Sequence, residues 1–161
     1  MPFKPTHLPY VGLGVDGDDI GVPTYGGQIA RYTASGVLKV GDIVYVSAAN
    51  TVAKSNTQAN YATFAGVVVG SLSDFDGATV NDDSNLLGAS LTSGATVLVQ
   101  ISGIAKVVAD AAITVGTRIS QGATTAGRVD DTAFTAGQMC GIALGAATLA
   151  GDILAMLIQP K

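Results

Sequence analysis

The chain has 161 residues, a formal net charge of −4 and one cysteine, and its eight basic residues are scattered singly from Lys4 to Lys161. It therefore carries no basic nucleic-acid patch and can form no disulfide within itself. All twelve acidic residues are Asp, Glu and Trp are absent, and 21 residues are Gly; because Glu favours helices and Asp favours turns and caps, this argues for an all-β chain of short strands and tight turns.

Residues 1–27 hold four of the five prolines, Pro2, Pro5, Pro9 and Pro23. Proline removes a backbone donor and fixes φ, so this stretch forms no regular helix or interior strand and reads as an extended N-terminal arm. Its apolar anchors for a neighbouring protein are expected at Tyr10, Ile20 and Tyr25. No apolar stretch of signal-peptide length occurs near Met1.

Residues 28–161 read as a single β domain built of two repeats, 28–102 and 103–161. The segment Ile29-Ala30-Arg31 followed by Leu38-Lys39-Val40-Gly41 recurs 75 residues later as Ile104-Ala105-Lys106 and Ile113-Thr114-Val115-Gly116. Gly66-Val67-Val68-Val69-Gly70 recurs as Gly141-Ile142-Ala143-Leu144-Gly145. What repeats is glycine placement and apolar pattern, with no His, Cys or carboxylate cluster carried along, so the repeated property is shape rather than chemistry. One merged core is expected, since the second repeat alone buries little surface.

In chain order the predicted strands are residues 28–33, 43–47, 65–69 and 96–101 in the first repeat, and 104–108, 117–120, 141–144 and 153–158 in the second. Short strands with Gly turns imply a small β-barrel or sandwich. From Gly70 to Gly94 the first repeat runs 24 residues where the second runs six from Gly145 to Gly151. The surplus falls in 71–93, rich in Asp, Asn, Ser and Gly, and is expected to form a surface loop. Structural turns are expected at Gly41 and Asp42, at Gly116, and at Gly151 and Asp152, where glycine supplies a positive φ and aspartate bonds nearby amides. Arg31 and Lys106, between apolar neighbours, read as side chains with packed stems and solvated heads.

Residues 139–158 are apolar except for Thr148 and Asp152. That length could span a bilayer as a helix, but three glycines interrupt it and Asp152 would be unpaired in hydrocarbon, so two strands and a turn are predicted. Gly12-Leu13-Gly14-Val15-Asp16-Gly17 has dinucleotide-loop spacing but leads into Asp18-Asp19-Ile20-Gly21-Val22-Pro23 instead of a helix. Asp16, Asp18 and Asp19, and Asp74, Asp76, Asp82 and Asp83, lack the ligand spacing of a calcium loop and read as solvated turn residues. His7 is the one histidine and Cys140 sits in an apolar strand context. No catalytic, cofactor-binding or metal site is predicted, and the chain is read as no enzyme.

Taken together, the Leu38-Lys39-Val40-Gly41-Asp42 turn, the Ala65–Gly70 run, the Gly141–Gly145 run and the closing Ala150-Gly151-Asp152-Ile153 strand make the chain resemble the small capsid cement, or head decoration, proteins of tailed bacteriophages. The arm and the 71–93 insertion depart from that family's compact pattern. The resemblance implies a structural protein on the outer capsid surface of the virion, binding the major capsid protein and itself, as a homotrimer at threefold or quasi-threefold positions, with no cofactor, nucleic acid or membrane. The alternative is a carbohydrate-binding or adhesion module on a virion surface. Sugar sites lean on aromatic platforms, and only 6% of this chain is aromatic.

Overall fold

The computed structural model describes residues 27–54, 63–71, 88, 90–131 and 139–159. The arm below Gly27, with Tyr10, Ile20 and Tyr25, lies outside the described residues, as do His7, both Asp clusters and most of the insertion.

Among the described residues all elements are strands. The first half contributes β1 (Ile29–Ala34), β2 (Leu38–Lys39), β3 (Ile43–Ala48), β4 (Thr51–Ala53), β5 (Phe64–Ser71), β6 (Ser90–Leu91) and β7 (Thr96–Gln100). The second contributes β8 (Gly103–Val108), β9 (Arg118–Gln121), β10 (Val129–Asp130), β11 (Gly141–Ala143) and β12 (Ile153–Ile158). Every strand predicted from the sequence is present within two residues at either end. Four short ones, β2, β4, β6 and β10, were not foreseen, because two- and three-residue strands leave no period to read.

The first half is a closed barrel in the order β1-β4-β3-β5-β7, and the second is a sheet in the order β10-β9-β11-β12-β8. These are the same order. The register agrees as well: Ile29 pairs with Gln100 and Ile104 with Leu157, Val67 with Gln100 and Ile142 with Leu157, Ile43 with Val67 and Arg118 with Ile142. Closure differs in extent. Two parallel pairs, Thr33 with Thr51 and Ala34 with Val52, shut the first barrel, whereas a single parallel bridge, Ala109 with Val129, stands there in the second. Register shifts interrupt β3 and β5, and such bulges bend strands in the way a tight barrel needs.

Two apolar clusters form instead of one merged core. Inside the first barrel Leu38, Val40, Val44, Val52, Val68, Val97 and Val99 are buried. Ile113, Ile119, Val129, Leu154, Met156 and Ile158 fill the second half, and this cluster also takes in Ile43 and Val67. Side chains alternate across a strand, so Ile43 and Val67 point away from Val44 and Val68 and out of the first barrel. A closed barrel fills its own interior, and only its outer face remains for the second half to cover. Complete burial of each such aliphatic side chain contributes about 1.5–3 kcal/mol.

The predicted surface loop 71–93 is corrected at both ends: Ser71 is the last residue of β5 and is buried, and the chain is paired again from Ser90. Ser90–Leu91 pairs with Leu38–Lys39, Gly88 N–H donates to the Val40 carbonyl at 2.8 Å, and Leu91 is buried. Leu91 returns the chain to the barrel, because burying its side chain outweighs leaving it in water.

Candidate functional site: an open apolar face on the second sheet

The predicted turns stand where the sequence places them. Gly41 and Gly116 have φ of 94° and 82°, and their N–H groups donate to the carbonyls of Val68 and Ala143. Gly151, with φ of 94°, donates to Ala109. The Asp42 carboxylate accepts from the Lys39 N–H at 2.8 Å and lies 3.6 Å from the Lys54 ammonium. Burial pushes the Asp42 carboxyl above its ordinary range despite both of these downward pulls. Asp152 accepts from the Thr148 hydroxyl and from the N–H groups of Thr148 and Leu149, which hold its carboxyl below the ordinary range.

Asp110 has a similar task in the second half. Burial pushes its carboxyl up, but the N–H groups of Thr125 and Thr124 more than offset that and leave it lowered. The loop it braces ends at Gly127, whose carbonyl accepts from Ile43 N–H and whose α-carbon faces the Asp42 carboxylate. All these carboxylates act on turns. Among the described residues no group of His, Cys, Asp or Glu is assembled to hold a metal ion, and Cys140 is buried. No helix of the described residues is long and apolar enough to cross a membrane; residues 139–158 form β11, a turn and β12.

Sequence reasoning missed the feature that stands out in three dimensions. Along β12 the inward Leu154, Met156 and Ile158 alternate with the outward Ile153, Ala155 and Leu157. Pairing places Leu157 between Ile104 and Ile142, with Arg118 beyond Ile142, and sets Ala155 beside Lys106. The outer face is thus a row Ile104–Leu157–Ile142–Arg118 with Lys106 alongside; Arg118 is exposed and the others are half-buried. The equivalent first-half row contains Gln100, Val67 and Ile43, all buried, and Ile43 and Val67 belong to the second half's apolar cluster. Lys106, foreseen as a packed stem with a solvated head, is half-buried, and Arg31 is exposed.

One end of this sheet is still more open. Val115, Leu144, Leu149 and Ile153 are 59%, 43%, 68% and 53% exposed. Gly116 bonds to Ala143, Leu144 to Ala155, and Asp152 to Leu149, which brings the three turns that carry these side chains to the same end. Exposed apolar groups gathered in this way mark protein-binding surfaces more often than isolated ones do. The signal in the sequence was the apolarity of 139–158, broken only by Thr148 and Asp152, which alternation alone does not require.

No family model matches the chain, and no curated protein matches it. Among solved structures, the chain is similar to the head fiber gp8.5 N base in bacteriophage phi29, with 14% identity, a TM-score of 0.49, and coverage of 83% of this chain and 94% of that one. At that level the likeness assigns no function.

Proposed function

We propose that this chain is a structural protein of a bacteriophage virion: a capsid decoration protein that binds the outer face of the head and stabilises the major capsid protein lattice. The observation that carries the reading is the apolar end formed by Val115, Leu144, Leu149 and Ile153, a surface that water leaves unsatisfied and another protein would cover. The turn motifs by which the sequence resembles cement proteins supply the setting.

A decoration protein does no chemistry. It binds the assembled lattice and not the dissociated one, so mass action raises the temperature at which particles fail. Several weak contacts suffice when one oligomer bridges several lattice subunits, since each contact raises the effective concentration of the next. The test is to heat particles with and without the protein while following DNA release. Release at a higher temperature in decorated particles, rising with occupancy, supports the role; identical temperatures at full occupancy overturn it.

A further inference from the structure

We propose that the row Ile104–Leu157–Ile142–Arg118, with Lys106 beside it, is a self-association face, and that its occupant is the N-terminal segment, residues 1–26, of a second copy of this chain. The inference adds a partner to the structural reading above and concerns the sheet face, not the turn end assigned to the capsid.

The first half shows what such a face is for. Its row has the same strand pairing, Ile29 with Gln100, Gln100 with Val67 and Val67 with Ile43. There Ile43 is 3% exposed and Val67 and Gln100 are fully buried, because the unit that follows in the chain packs over them. In the second half the corresponding Arg118 is exposed and Ile142 and Leu157 are half-buried. In a head-to-tail association the next unit is the beginning of another copy, and such heterologous contacts close into rings when the rotation permits.

Charge and length favour the N-terminal segment as that beginning. The face carries two cations, Arg118 and Lys106, and no carboxylate pairs with either among the described residues. Residues 1–26 hold Asp16, Asp18 and Asp19 against Lys4, together with Tyr10, Ile20 and Tyr25. That is an acidic segment with apolar anchors, complementary to an apolar face with basic groups. Extended at about 3.3 Å per residue it reaches roughly 85 Å, several times the ~20 Å width of a four-strand face. Its root is fixed: Gln28 N–H donates to the Ser102 hydroxyl and Ile101 N–H to the Gln28 carbonyl.

The test uses the full chain in solution without capsids, so failure of the capsid reading leaves its outcome unchanged. Sedimentation should show a concentration-dependent oligomer. The double variant Arg118→Glu/Lys106→Glu and deletion of residues 2–26 should each weaken association by about tenfold or more. Combining the face reversal with Asp16→Lys, Asp18→Lys and Asp19→Lys should restore it, a rescue that misfolding cannot imitate. Circular dichroism checks that each variant is folded, and Val37→Glu, on the first half, should leave assembly unchanged. A full chain that remains monomeric at its highest soluble concentration overturns the proposal. So does an oligomer that survives either the face reversal in a folded protein or loss of the arm, and so does a charge swap that restores nothing.

Discussion

Gly66 and Gly141 occupy the same place in two different sheets. A Cβ on Gly66 would run into the Gln100 carbonyl and Val99, and a Cβ on Gly141 into the Leu157 carbonyl and Met156. Gln100 and Leu157 are themselves equivalent, each paired with the residue after its glycine, Val67 and Ile142. In both halves a strand backbone approaches so closely that only hydrogen fits.

Gly141→Val should therefore destabilise the fold by about 3 kcal/mol, since neither a carbonyl nor the packed Met156 can withdraw cheaply. Gly116→Ala is the contrast. Nothing lies within 4 Å of its Cβ position, so only the positive φ of 82° is strained, at about 1–2 kcal/mol. Urea midpoints of the two variants decide this, and equal losses would refute the close-approach argument.

Leu91 tests the end of the insertion. Leu91→Ala should cost about 2–5 kcal/mol, because its side chain is 4% exposed within the first barrel's cluster. Shortening 72–87 with Leu91 retained should leave thermal stability nearly unchanged. Equal damage from both changes would mean that the whole insertion belongs to the body.

Asp42 gives a pH dependence of unusual sign. Its folded pKa is raised above 3.8, so the native state holds the proton more tightly than the unfolded chain does, and ionising it costs stability as pH rises through that window. Asp42→Asn removes this term. The stability of the Asn variant relative to wild type should climb as pH rises above 3.8 and level off beyond the folded pKa; a difference independent of pH would show that burial does not govern this carboxyl. Asp110 and Asp152 act in the opposite direction. Their folded pKa values are lowered, so what they contribute is present above 3.8 and lost as pH falls through the folded values.

Surface changes should separate binding from folding. Leu149→Glu and Val115→Asp, at side chains 68% and 59% exposed, should shift stability by no more than about 0.5 kcal/mol and yet weaken particle binding. Deleting residues 2–20 should also weaken particle binding and leave the β body folded. Unchanged saturation of particles by all three would remove both the apolar end and the arm as attachment devices.

Much of the architecture was legible because it rests on local rules. Positive-φ glycines at 41, 116 and 151 and the period-two alternation of β12 are properties of a few adjacent residues, and they place turns and strands without any partner. The offset between Ile29 and Ile104 likewise needs only the letters. What pairs with what is a different kind of fact. The parallel contact of Ala34 with Val52, the return of Leu91 to Leu38, and the burial of Ile43 and Val67 under the second half bring together residues that no local pattern connects. The same holds for the half-buried row: Ile142, Leu157 and Ile104 read identically to core residues in sequence, because an apolar strand position carries no mark of which face a neighbour covers. Only closure of the first barrel, which leaves its outer face for the second half to cover, decided that Ile43 and Val67 are core while their equivalents Arg118 and Ile142 are exposed and half-buried.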